Sequence, residues 1–426
     1  MRAKLFMTLG VVGGLGILVS ACGAAAKAPA SSSSASSSSG VASKSTVTVG
    51  LQAPFTGVRA DLGPGMVVGA KLAIDAINAA GGVLGHPLKL ATQDDAGDPA
   101  DAPPATETLI NTDNAKVIIG PPALTASPTI TIAQKSGVPV FMWGGGSEFD
   151  KDTNPYFFRM SPSDSEQGQA MALFAHNKGW NNIALAFGSS SASQSLVPPI
   201  LEAAKALHMN VVANVQFTSG QSDYRSEIAS LFSHHPQAIL GQFVNATAGT
   251  VFGEITEEGL LGTPWIGSNL WYEQTWFQSV GASVATKVYL TNSTTSGQLG
   301  AATFLQLLQE QDHTQAPPNG SEFAYDGIMV WALGVDQAGT FSYPKLRTGI
   351  LAAADPPGTQ CGSYSTCYSL IKQGKKINWQ GSASPDDFNK YDNVFGPFAL
   401  IQFTASGGTN TLATLTAQQI ETAVGG

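Results

Sequence analysis

Two stretches near the start of the chain decide the fold: Thr46-Val47-Thr48-Val49-Gly50-Leu51, and then Gly65-Met66-Val67-Val68-Gly69-Ala70-Lys71-Leu72-Ala73-Ile74-Asp75-Ala76-Ile77-Asn78-Ala79-Ala80. The first is a short β-branched run of strand type. In the second, Gly69, Leu72, Ala73, Ala76, Ile77 and Ala80 recur at i, i+3, i+4 spacing, with Lys71, Asp75 and Asn78 opposite, which is the pattern of an amphipathic helix. Further strands are read at 88–92, 117–119 and 140–142, with helices at 101–111 and 127–135 between them. This β-α-β-α order calls for a parallel sheet covered by helices. A second series follows, with strands at 182–187, 211–217, 238–243 and 265–267 and helices at 196–207, 224–232 and 250–258. The expected fold is α/β, in two similar lobes.

Length and composition agree. A chain of 426 residues exceeds the size at which one core stops growing. Its 21 basic and 30 acidic side chains give a net charge of −9, which argues against nucleic-acid binding, since phosphate contacts need surplus Lys and Arg. Charged residues are only 12% of the chain, against roughly 25% in an average soluble protein, so the surface is expected to be largely neutral. No stretch after residue 22 is long and apolar enough to span a bilayer.

Residues 1–21 read as a secretory signal, with Arg2 and Lys4 ahead of an apolar run. Its end, Val19-Ser20-Ala21-Cys22, resembles the bacterial lipobox, which implies lipidation of Cys22 and attachment to the cell membrane without a transmembrane helix. Residues 22–45 carry this cysteine and a Ser/Ala/Gly tether, which has too little apolar surface to fold and reaches about 25 Å. The remaining cysteines, Cys361 and Cys367, are expected to pair in an oxidising compartment. The alternative is a metal or redox role, which is disfavoured because the spacing is not Cys-x-x-Cys and no His lies nearby.

A resemblance rests on an ordered set of motifs. These are Pro54-Phe55-Thr56-Gly57, Gly63, Gly69, Ile77 to Gly85, Gln93-Asp94-Asp95 and Val117-Ile118-Ile119-Gly120-Pro121. The set continues with Phe158-Arg159-Met160-Ser161-Pro162-Ser163-Asp164, Gly220 with Asp223, Gly259-Leu260 and Tyr325-Asp326. Over residues 46–405 the chain resembles the branched-chain amino acid type of periplasmic solute-binding protein, which serves ABC importers. The resemblance implies two lobes joined by a three-crossing hinge, with a ligand cleft between them. Lobe 1 is expected at 46–160 plus 293–376, lobe 2 at 161–292 plus 377–405, and a C-terminal tail at 406–426. It also implies an ABC permease as partner, a monomer, no cofactor and no catalysis. A ligand-sensing receptor for a signalling partner is the alternative, because fold alone does not fix function. Apart from the family, Gly81-Gly82 reads as a helix end, and Ser163 with Glu166 as a capping box.

Ligands of open α/β sheets sit outside the carboxyl ends of the strands, so the loops there supply the candidates. In lobe 1 these are Thr56, Arg59, Leu124, Thr125, Trp143, Gly145 and Ser147. In lobe 2 they are Ser191, Gln194, Phe243, Asn245, Asn269 and Trp271. Tyr325 is the last candidate, with packing beneath the cleft as its alternative. The resemblance implies that amino-acid binders of the family present a serine where this chain has Leu124, and an Ala-Thr or Ser-Thr pair in the stretch where it has Trp143-Gly144-Gly145-Gly146-Ser147, with no hydroxyl at Gly146. The expectation is therefore a small molecule of the amino acid, amide or small aromatic or aliphatic carboxylate class, with leucine, isoleucine and valine disfavoured unless a shifted Thr125, Ser127 or Ser147 restores the clamp. Trp143 and Trp271 would form an apolar wall, and Arg59 would hold a carboxylate by paired hydrogen bonds. For Arg59 the competing reading is a solvated loop charge, and for Trp143 it is core packing.

Enzyme motifs fail. Gly63-Pro64-Gly65 with Gly69 misses the dinucleotide spacing, and Gly188-Ser189-Ser190-Ser191-Ala192 misses the last glycine of a nucleophile elbow. Asp94-Asp95 is read as structural. The six histidines are scattered without metal-ligand spacing.

Overall fold

In the computed structural model, which describes residues 44–57, 59–295, 298–314 and 316–424, two parallel sheets are built in succession along the chain. The signal segment, Cys22 and the Ser/Ala/Gly run lie outside the described residues. The first sheet holds β1 (Val47–Ala53), β2 (Leu88–Asp94), β3 (Ala115–Pro122), β4 (Val140–Trp143) and β5 (Phe157–Arg159), in the order β2-β1-β3-β4-β5. All its pairings are parallel. Every residue of β1 is buried, because helices cover both faces of the sheet.

Why the helix Leu62–Ala79 carries Gly65 and Gly69 is now evident. A Cβ on Gly69 would lie 1.8 Å from the Ser321 carbonyl, and one on Gly65 would lie 2.0 Å from that of Asn319. The two glycines let this helix press against the start of the helix Ser321–Ala338. Asn78 stays helical. Its amide donates to the Leu88 carbonyl at 3.0 Å and accepts from the Leu88 N–H at 2.7 Å, pinning helix to β2.

The second sheet holds β6 (Asn182–Gly188), β7 (Asn210–Phe217), β8 (Ala238–Gln242), β9 (Trp265–Gly267) and β10 (Val288–Ser293), all parallel. A small parallel pair, β11 (Thr359–Cys361) and β12 (Ile377–Trp379), belongs to lobe 1. The chain then returns to the second sheet as β13 (Phe398–Phe403) and β14 (Thr409–Leu415), which are antiparallel additions beyond β10. The Cys361–Cys367 disulfide is formed, with Cα atoms 5.5 Å apart, beside β11.

Two expected boundaries are corrected. Ile377 and Trp379 sit in the core of lobe 1, so the third crossing comes near Asn393 to Pro397 and not at 377. The described residues 406–424 are not a tail: β14 pairs along β13, and Leu415 and Ile420 are buried in the core of lobe 2. Thr, Gly and Ala dominate that stretch, which hid the few apolar positions that anchor it. At the start of the helix Asp164–Asn177, Ser163 caps through the Ser165 N–H at 2.8 Å.

Candidate functional site

Parallel strands bring the loops after β1, β3 and β4 to one edge of lobe 1. After β1, Asp94 organises the turn: its carboxylate accepts from the Phe55, Thr56 and Ala96 N–H groups and from the Thr56 hydroxyl at 2.6 Å. Burial raises the Asp94 pKa, but these donors outweigh it and hold the group below the usual carboxylate range. Thr56 thus spends its hydroxyl within the loop. Arg59 pairs with Asp61 at 3.3 Å, and its guanidinium lies over the Trp143 ring, 5.5 Å from the centroid. The two candidates are therefore brought together.

The loop after β3 divides its candidates. Leu124 points outward and is 65% exposed. Thr125 is fully buried, its hydroxyl donating to Asp95 at 2.7 Å within a network of Gln52, Thr106 and Thr129. It faces away from the edge. Trp143, half-buried at the end of β4, packs 6.2 Å from Phe323, and its indole N–H has no partner. Gly145 and Ser147 continue this loop. Gly144 lies against the first turn of the helix Ala123–Lys135.

In lobe 2, the Gln194 amide donates back to the Gly188 carbonyl at 2.7 Å, and Ser191 and Asn269 are exposed. Asn245 donates to Thr275 at 3.0 Å, while its carbonyl oxygen is buried without a partner. Two expectations are corrected, for Phe243 and Trp271, and Tyr325 takes its packing alternative. Phe243, Trp271 and Tyr325 are 0% exposed. The Trp271 indole donates to the Phe243 carbonyl at 2.8 Å, stacked on Trp276 in the lobe 2 core, and Tyr325 packs on Phe304 in lobe 1. These rings fill cores because each lies on the inward side of its turn or helix, a direction that residue type alone does not reveal.

The sequence reading missed Val244 and Phe323. Of the seven large hydrophobic side chains exposed among the described residues, Leu124 opens the helix that follows β3 and Val244 caps the one that follows β8, at 65% and 42% exposure, whereas Tyr272 turns toward the β13–β14 turn, its ring 6.4 Å from Phe403 and its hydroxyl 3.4 Å from Thr409. Leaving such side chains in water costs free energy that an apolar ligand recovers. The signal was there in part, since Val244 falls inside a loop already singled out.

Both lobes also bring a bare helix start to this edge. The helices Ala123–Lys135 and Asn245–Glu257 have Pro122 and Val244 at their N-caps, and neither side chain accepts a hydrogen bond. Their first backbone N–H groups favour an acceptor or an anion. The two loop sets meet at Asp164: its N–H donates to the Gly145 carbonyl of lobe 1 at 2.7 Å, and its carboxylate accepts from Ser195 of lobe 2 at 3.3 Å. Burial pushes the Asp164 pKa up.

A family model described as periplasmic binding protein matches residues 46–358. Among solved structures, the chain is similar to the branched-chain amino acid transporter substrate-binding protein LivJ from Streptococcus pneumoniae in complex with isoleucine. That TM-score is 0.65 at 19% identity, covering 87% of this chain and 99% of that one. It is also similar to an R. palustris ABC-transporter solute-binding protein in complex with benzoate, with TM-score 0.63 and 18% identity over 87% and 96% of the two chains. Of curated proteins, a Leu/Ile/Val-binding protein homolog of Brucella melitensis is 23% identical over 303 residues, 70% of this chain and 81% of that one. Glutamate receptor 2.4 of Arabidopsis thaliana is 24% identical over 341 residues, 75% of this chain. The match spans only 36% of that receptor's length.

Proposed function

The chain belongs to the periplasmic binding protein family, and from that premise we propose that it is an extracytoplasmic, lipid-anchored solute receptor that delivers a small molecule to an ABC permease. Its chemistry is binding, without turnover. The ligand class that best fits is an apolar or aromatic body with one carboxylate or amide. The observation that carries this reading is that exposed Leu124 and Val244 and half-buried Trp143 sit at strand ends beside two uncapped helix starts. Leu124 takes the place of a hydroxyl and Thr125 is committed to Asp95, which argues against an amino-acid clamp at these two positions. Ser191, Gln194, Asn245, Asn269, Gly145 and Ser147 supply the polar contacts in this reading, and Arg59 stacked on Trp143 supplies the cation. The R. palustris relative with bound benzoate supports the ligand class by analogy.

A thermal-shift panel tests the ligand. At 100 times its dissociation constant a ligand stabilises the native state by about 2.7 kcal/mol, a clear rise in Tm. Benzoate and short aliphatic carboxylates or amides should raise Tm more than leucine, isoleucine or valine. Arg59→Ala should reduce the benzoate response while sparing that of benzamide. A larger response to leucine would defeat the assignment. For the anchor, motivated by Val19 to Cys22, the mature protein should carry acyl mass on Cys22, and Cys22→Ser should be released from membranes. A mature chain starting elsewhere, fully soluble, would refute it.

Similarity to a plant glutamate receptor favours a second reading, a ligand sensor. Ligand-dependent stimulation of ATP hydrolysis by a reconstituted permease separates import from sensing.

A further inference from the structure

The loop that carries Trp143, Gly145 and Ser147 is tied to the hinge at one residue after another. The Gly144 N–H donates to the Ser161 hydroxyl at 2.8 Å. The Gly145 carbonyl accepts from the Asp164 N–H at 2.7 Å, and the Gly146 carbonyl from Arg159 Nη1 at 3.1 Å. At its far end the Phe149 and Asp150 carbonyls both accept from Asn393 Nδ2 at 3.1 Å. All these partners lie on crossings: Arg159, Ser161 and Asp164 on the first, Asn393 on the third.

Arg159 is the centre of this wiring. It closes β5, is 1% exposed, and reaches Asp150 through Nη2 at 2.7 Å. The other Asp150 oxygen accepts from the Ser165 hydroxyl at 2.6 Å, and Ser165 opens the lobe 2 helix Asp164–Asn177. One planar guanidinium therefore grips the loop at two points, a geometry that a lysine cannot reproduce. Through Asp150 the same grip continues into lobe 2. Asp164 and Glu166 of that helix also face Arg159 electrostatically, and Glu148 of the loop faces Asp164.

We propose that Arg159 is the positioning residue that couples the cleft loop 143–150 to the hinge, so that a solute pressing on the loop moves the lobe 2 helix through the Arg159–Asp150–Ser165 chain. The proposal rests on the solute-binding reading, but its structural content does not depend on which solute binds. It makes the loop part of the moving hinge instead of a fixed wall of lobe 1.

Hydrogen–deuterium exchange on the ligand-free mature chain tests the grip, with β6 amides as internal control. Arg159→Lys should make amides 144–149 exchange at least tenfold faster than wild type, Arg159→Met faster still, and Asp150→Asn at least tenfold faster, with β6 unchanged. Wild-type protection of the loop in folded Arg159→Lys and Asp150→Asn would overturn the proposal, as would equal exchange in the Lys and Met variants, which would mean simple core filling. If the Arg159 variants do not fold, Asp150→Asn and Ser165→Ala carry the test. Ser165→Ala should leave the loop protected yet broaden the interlobe distance distribution measured between spin labels at Glu107→Cys and Glu202→Cys. An unchanged distribution would overturn the link to lobe 2. None of these readouts needs a ligand, so they remain decisive even if the benzoate panel fails.

Discussion

The Thr125 hydroxyl donates to Asp95 at 2.7 Å and is fully buried. It lies after β3, where a hydroxyl could serve a ligand, but its bond to Asp95 makes it part of a buried network that fixes the start of the following helix. Removing one partner leaves a buried acceptor short of a donor, at a cost of about 1–3 kcal/mol. Thr125→Val should therefore lower stability by about that amount in denaturant unfolding, without changing the rank order of ligands in the thermal-shift panel. A changed rank order with stability intact would return Thr125 to the cleft. The same ambiguity affected Trp271 and Phe243, since large rings after strands suit a ligand wall and a core equally well. Arg59 and Trp143, by contrast, were legible as a pair of cleft candidates, although their stacking was visible only in three dimensions.

Elements with strong periodicity were legible and those without it were not. Apart from the edge strand β5 and from β10, both parallel series could be read in order from β-branched runs and i, i+3, i+4 spacing, whereas β13 is an apolar run without alternation and β14 follows a polar, glycine-bearing turn with only its last residue buried. The helix Asp164–Asn177 at the first crossing and the lobe 1 helices Ser321–Ala338 and Lys345–Ala354 hold another feature that no pattern reveals, a set of buried carboxyl groups. Burial pushes Glu166 up to about 8, Asp326 and Glu322 up to about 7, and Asp355 up to about 6. Each binds its proton more tightly folded than unfolded, so the stabilisation is complete below the unfolded values near 4 and is lost as pH rises through 6 to 8. The depressed groups Asp61, Asp94 and Asp223 act in the opposite sense but titrate below that window. Tm should therefore be higher at pH 5.5 than at pH 8.5, by several degrees if about 2 kcal/mol is involved. Glu166→Gln should flatten the slope between pH 7 and 8.5. A Tm that rises with pH across this range would contradict the assignment.

For the whole molecule, three crossings join two α/β lobes, each presenting strand-end loops, and the two loop sets meet at Asp164. In such an arrangement a solute that touches both lobes shifts the population toward a closed form by its differential affinity for it. Leu124 on one lobe and Val244 on the other are exposed just after strand ends, where a ligand held between the lobes would cover them. Small-angle scattering of the mature protein titrated with benzoate, with leucine as comparison, tests this most directly. The account predicts a saturable decrease in radius of gyration with benzoate, a weaker response to leucine, and benzoate recovered chemically unchanged. A radius of gyration that stays constant at saturating benzoate, or benzoate converted to product, would contradict it.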